Sequence, residues 1–125
     1  MRRYVLLALA GLAGCGSAPT RENAHAAGLV QVGQIEPADT HAMTDCLLDA
    51  FGRAHWALTN TRVSQQRRTE GARVETYTGN MLLVSADVMD DGKVSLTEMS
   101  TAKFINTQGE RAGFAACLAR YVRKS

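Results

Sequence analysis

The chain has 125 residues, and its 14 lysines and arginines against 12 acidic side chains give a formal charge of only +2. The chain has two basic clusters, "QQRR" and "RYVRK". It lacks the broad positive excess that a phosphate-binding surface needs. We therefore expect no nucleic-acid partner, and the length leaves room for one small domain.

The N-terminal stretch "MRRYVLLALAGLAGC" has the pattern of a secretory signal, with a positive start at Arg2 and Arg3 followed by an apolar run. About ten apolar residues rise roughly 15 Å as a helix, half of a hydrocarbon core of about 30 Å, so a membrane span is the weaker interpretation. We predict that residues 1–14 form a cleaved signal peptide. Without Arg2 and Arg3 the chain carries twelve basic and twelve acidic side chains.

The apolar run ends in Leu12-Ala13-Gly14-Cys15, which resembles the lipobox of bacterial lipoproteins. The resemblance implies that the lipoprotein signal peptidase cuts before Cys15 and that this cysteine carries lipid. In that family an aspartate after the cysteine retains the protein at the inner membrane, whereas Gly16 follows here. The resemblance therefore implies an outer-membrane anchor facing the periplasm. The alternative is an ordinary secretory signal in which Cys15 is incidental.

Residues 15–38 are rich in small residues and contain both prolines, which indicates a lipidated N-terminus and a flexible tether. Within it "LVQVGQI" alternates and could add an edge strand. Residues 39–125 then form one small periplasmic domain.

Apolar residues at helical spacing predict one helix at the start of this domain, with Asp39 or Thr40 as N-cap, and a second helix at its end. The stretch "TQGE", Thr107 to Glu110, fits a capping box for the second helix. Four candidate strands lie between the helices: 58–67, 72–78, 81–89 and 93–100. The order α-β-β-β-β-α predicts a two-layer α+β domain, with an antiparallel sheet of about four strands and two helices on one face.

Cys46 and Cys117 are the two cysteines that remain once Cys15 carries lipid, and each falls on the apolar face of a predicted helix. In an oxidising compartment a disulfide between them is the simplest account. The alternatives are two free thiols, a zinc site or a catalytic cysteine, but His25, His41 and His55 show no metal-ligand spacing.

The stretch "DVMDDGKVSLTE" from Asp87 to Glu98 has two interpretations. As an EF-hand-like loop it offers calcium the side chains of Asp87, Asp91, Ser95 and Glu98, but Met89 falls where an oxygen ligand is needed and no entering helix precedes it.

As a β-hairpin that turns at Asp90, Asp91 and Gly92, the same stretch pairs Val88 with Val94 and so sorts apolar from polar residues. We favour the hairpin. In this register Leu83 and Met99 face away from the helices, opposite each other.

No nucleophile elbow, phosphate loop or metal motif occurs in the sequence, so we name no catalytic residue, metal ligand or cofactor. We predict a non-enzymatic binding or structural component of the cell envelope, held to the membrane through Cys15. Its partner would be an envelope protein or a cell-wall component. The alternatives are a calcium-binding lipoprotein and a small envelope hydrolase, which would need His41 or His55 in a pocket with a carboxylate.

Overall fold

The computed structural model describes residues 28–55, 60–100 and 105–123, so the signal peptide and Cys15 lie outside the described residues. The described chain contains seven helices and strands in the following order: β1 (Gly28–Gln34), α1 (Thr40–Arg53), β2 (Thr61–Arg68), β3 (Gly71–Thr78), β4 (Met81–Met89), β5 (Lys93–Glu98) and α2 (Gln108–Tyr121). A short 3-10 turn, Pro37–Asp39, leads into α1.

The five strands form one antiparallel sheet in the order β1-β5-β4-β3-β2. The predicted α+β class is confirmed, but the sheet has five strands rather than about four. The difference is β1, which lies within the stretch 15–38 that composition assigns to the tether. The residues of β1 carry no charge, and they pair with β5. The alternation in "LVQVGQI" therefore predicted the local structure better than the small-residue composition did.

The core lies between the sheet and the two helices. Each helix contributes its apolar face, including Leu47 and Phe51 from α1 and Phe114 from α2, and these side chains are fully buried. The sheet meets them with the valines, alanine and leucine of its inner face: Val74, Val84, Ala86, Val88, Val94 and Leu96. The helices also contact each other closely, since a Cβ on Gly113 would lie 2.8 Å from the Cβ of Ala50.

The β4–β5 hairpin has the predicted register. Ala86 pairs with Leu96, and Val88 pairs with Val94, on the face that meets the helices. Gly92 adopts a φ of 92°, a left-handed conformation that favours glycine, and its N–H donates to the carbonyl of Met89 at 2.9 Å. The alternation of apolar residues therefore predicted this turn correctly.

A register shift in the β3–β4 pair corrects the expectation for Leu83. Thr76 pairs with Val84 and Tyr77 pairs with Leu82, which leaves Leu83 as the extra residue of a bulge. Leu83 is fully buried in the core, and Met99, whose N–H donates to the Leu83 carbonyl, is only 2 % exposed. Period-two alternation fails here because a bulge changes the side-chain parity of the strand.

The start of α2 differs from the predicted capping box. Thr107 makes no side-chain cap bond, because its hydroxyl donates to Glu98 Oε2 at 2.9 Å. The side chain of Asn106 instead accepts from the N–H of Gln108, and Glu110 turns toward the end of α1. Tertiary contacts thus take both side chains that the local motif would use.

Candidate binding site on the polar face of the sheet

The face of the sheet that points away from the helices carries a network of polar side chains. Arg73 and Asp87 lie directly opposite each other on β3 and β4, and Arg73 Nε donates to Asp87 Oδ1 at 2.8 Å. Both side chains are only 12–13 % exposed. A charge-assisted bond with this little exposure fixes the position of the guanidinium on the central strands.

The same face carries a second set of contacts toward the β2 edge. Glu75 Oε1 accepts from Gln66 Nε2 and from the Tyr77 hydroxyl, each at 3.1 Å. The Arg62 guanidinium lies 4.4 Å from the centre of the Tyr77 ring, within cation–π range. Glu75 is 3 % exposed, so its carboxylate is held by neighbours rather than by bulk water.

Two buried hydroxyl groups continue this surface toward β5. Glu75, Ser85 and Thr97 are register neighbours on β3, β4 and β5. Within the described part of the chain, neither Ser85 Oγ nor Thr97 Oγ1 has a hydrogen-bond partner. The polar face thus combines charged, aromatic and hydroxyl groups in adjacent rows.

A cavity of about 360 Å³ opens at one end of the polar face, beside the turn between β2 and β3. Its wall consists of Arg68, Thr69, Glu70, Arg73, Asp87 and Met89. Because both charge signs line it, the cavity suits a ligand with hydrogen-bonding or zwitterionic groups better than an apolar one.

A buried acid–base pair joins the two helices. The side chain of His55, just after α1, is 6 % exposed, and that of Glu110, in the first turn of α2, is 0 % exposed. His55 Nε2 lies 2.7 Å from Oε1 and 2.8 Å from Oε2 of Glu110. A carboxylate can only accept, so Nε2 is the donor. The contact spans 55 residues of sequence, and no local motif pointed to it.

This arrangement brings His55 to a carboxylate, as the hydrolase alternative requires, and both side chains are almost completely buried. The wall of the cavity beside the β2–β3 turn includes neither His55 nor Glu110. The other candidate histidine, His41, pairs at 3.4 Å with Asp45 one turn later, and both side chains are largely exposed. The buried pair connects the two helices.

The four side chains of the calcium alternative are not brought together. Asp87 is engaged by Arg73 on the polar face, whereas Glu98 lies on the helix side and accepts from Arg111 Nη2 at 2.7 Å. Asp91 is at the hairpin tip and accepts from the N–H of Lys93, while Ser95 lies opposite Asp87. In the described segments no cluster of three or more His, Cys, Asp or Glu side chains could hold a metal.

The predicted disulfide is present. Cys46 of α1 and Cys117 of α2 are bonded, with their Cα atoms 5.9 Å apart. Gly109 and Gly113 bring α2 close to Ala54 and Ala50, which permits this short separation. The bond links the two helices covalently. It argues against the three alternatives for these cysteines, which were two free thiols, a zinc site and a catalytic cysteine.

Comparisons with family models, curated proteins and solved structures gave no match for this chain. Among the described residues no helix is both long enough and apolar enough to span a bilayer. The polar face was not predicted as a site. Its one sequence signal is the alternation of Arg73, Glu75 and Tyr77 along β3, which marks an outward face without naming a ligand.

Proposed function

We propose that the chain is a lipoprotein, anchored through a lipidated Cys15 in the outer membrane, whose periplasmic domain binds another envelope component and catalyses no reaction. One feature of the chain supports the anchor, and another supports the compartment. The lipobox Leu12-Ala13-Gly14-Cys15 follows a short apolar run. The Cys46–Cys117 disulfide is the kind of bond that persists in an oxidising compartment such as the periplasm.

The observation that carries the binding role is the cavity of about 360 Å³ at the end of the polar face. Arg73 and Asp87 are held in one geometry by their mutual bond, so they present a preformed arrangement of donors and acceptors. The acid–base pair His55–Glu110, in contrast, is almost completely buried, and its two side chains are bonded to each other. A polar segment of an envelope protein, or the peptide and sugar groups of the cell wall, has the chemistry to fill the cavity.

The test fills the mouth of the cavity. Thr69 is exposed in the β2–β3 turn and lines the cavity, so Thr69→Trp would block it, while Thr69→Ser is the matched control. We expect purified cell-wall sacculi, or an envelope protein photo-crosslinked from a probe at position 70, which also lines the cavity, to be retained by the wild type and by Thr69→Ser. Retention should be lost in Thr69→Trp. Equal retention by the two variants would overturn the assignment of this cavity.

A further inference from the structure

Three large apolar side chains are exposed in the described part of the chain, and all three lie at one edge of the sheet. Leu29 is 64 % exposed and Val32 is 63 % exposed, both on the edge strand β1. Val122, 44 % exposed, follows α2, and its bridge with Ile35 places it beside the end of β1. We call the surface defined by Leu29, Val32 and Val122 the β1-edge surface.

The β1-edge surface includes a shallow groove of about 380 Å³ between β1 and α2. Its wall contains no charged group: Gln31, Val32, Ala115, Leu118, Ala119 and Val122. The exposed Arg120 lies at the end of α2, and Arg123, just beyond it, forms an ion pair with Glu36 at 3.1 Å. An uncharged apolar strip with an exposed arginine at its margin is the chemistry of a surface that rests among lipid headgroups.

The backbone of β1 is a poor acceptor for a further strand. Its register with β5 shifts between Leu29 and Gln31, so the edge is not a regular ladder. At the other end, the N–H of Arg123 already donates to the Gln34 carbonyl at 2.8 Å. A partner at this edge would therefore bind the exposed side chains rather than unpaired backbone groups.

The position of the tether identifies the occupant. Residues 16–27, twelve residues, separate Cys15 from Gly28, where β1 begins. Twelve residues span at most about 40 Å when fully extended, and they join the sheet at β1, which at the usual strand spacing lies roughly 19 Å from β2. A lipid on Cys15 would thus attach the domain through its β1 edge rather than through the arginine-bearing strand β2.

We propose that the β1-edge surface rests on the lipid bilayer that holds Cys15. This inference depends on the proposed lipid anchor. Inserted aliphatic side chains would add buried apolar area to the attachment that the acyl chains provide. The domain then stands on its β1 edge, and the cavity beside Thr69 lies across the sheet, clear of the lipid.

The test uses the lipidated full chain in vesicles of phosphatidylethanolamine and phosphatidylglycerol. Val32→Cys places a thiol on β1, and Gln65→Cys places the control thiol on the exposed part of β2. Cys46 and Cys117 are bonded to each other and Cys15 would carry lipid, so the new thiol can be labelled selectively with an environment-sensitive dye. Lipid-borne spin labels then report whether the dye touches the bilayer.

We expect the dye at position 32 to emit at shorter wavelength and to be quenched at least about twofold more strongly than the dye at position 65. Equal quenching at the two positions would overturn the inference. A blue shift at position 32 without quenching would also overturn it, because a second copy or another protein would then cover the edge. Flotation of the same vesicles tests the lipid anchor separately. Protein that does not float with the vesicles refutes the lipid anchor. Protein that floats but shows no quenching refutes only the docking of the β1-edge surface.

Discussion

His55 Nε2 lies within 2.8 Å of both carboxylate oxygens of Glu110, and the two side chains are almost completely buried between the end of α1 and the start of α2. A buried carboxylate is tolerated only when a partner compensates its lost hydration. Together with the Cys46–Cys117 bond, this pair joins the two helices at separate points along their length.

We expect His55→Ala to lower the free energy of unfolding by about 3 kcal/mol, because Glu110 would remain buried without its donor. His41→Ala is the matched control, since His41 forms an exposed pair with Asp45 and should leave stability unchanged. Urea unfolding followed by circular dichroism measures both. Equal stability of the two variants would show that the buried pair does not hold the helices.

Loss of the disulfide should also be costly. The Cys46–Cys117 bond closes a loop with a sequence separation of 71, and the chain-entropy model assigns such a loop roughly 4 kcal/mol. We expect the double variant Cys46→Ser and Cys117→Ser to unfold at a clearly lower urea concentration. Peptide mapping under non-reducing conditions should recover the linked pair from the wild type, and two alkylated thiols there would contradict the structure.

Two glycines in the described segments have a left-handed backbone, and their variants separate backbone strain from steric overlap. Gly79 has a φ of 58° with open space around it, whereas a Cβ on Gly92 would overlap the Ile35 carbonyl oxygen and lie 2.7 Å from Gln34 Nε2. Gly79→Ala should cost about 1 kcal/mol from the backbone conformation alone. Gly92→Ala should cost about 3 kcal/mol, because the β4–β5 turn must also move away from β1. Similar losses in the two variants would argue against this packing of the turn.

The separation of the four oxygen-bearing side chains predicts the response to calcium. Asp87 and Glu98 are engaged by different arginines on opposite faces of the hairpin, so millimolar calcium should leave the melting temperature unchanged. A thermal-shift titration checks this expectation. A rise in melting temperature that disappears in Asp91→Ala and Glu98→Ala would restore the calcium-binding alternative.

Short-range patterns in the sequence predicted much of the fold. Alternation placed Val88 opposite Val94 and so defined the β4–β5 turn, and helical spacing put Cys46 and Cys117 on facing stripes. Both predictions follow from the side-chain periodicity of single elements. They required no knowledge of which distant segments meet.

The features that the sequence did not reveal depend on tertiary contacts or local irregularity. Gly28–Gln34 combines the composition of a linker with an alternation typical of an edge strand, and its pairing with β5 decides between the two. Leu83 enters the core because of a bulge, and Glu110 leaves the capping box for His55, a partner 55 residues away. The cavity beside Thr69 likewise combines a turn with two central strands, so no contiguous motif encodes it.

The central claim is that Cys15 anchors the domain in the envelope, and the intact mass of the protein from the membrane fraction tests it most directly. We predict that the chain begins at Cys15 and carries the added mass of its acyl groups, and that Cys15→Ala leaves an uncleaved precursor without lipid. A mature chain of unmodified mass, or normal processing of Cys15→Ala, would contradict the account.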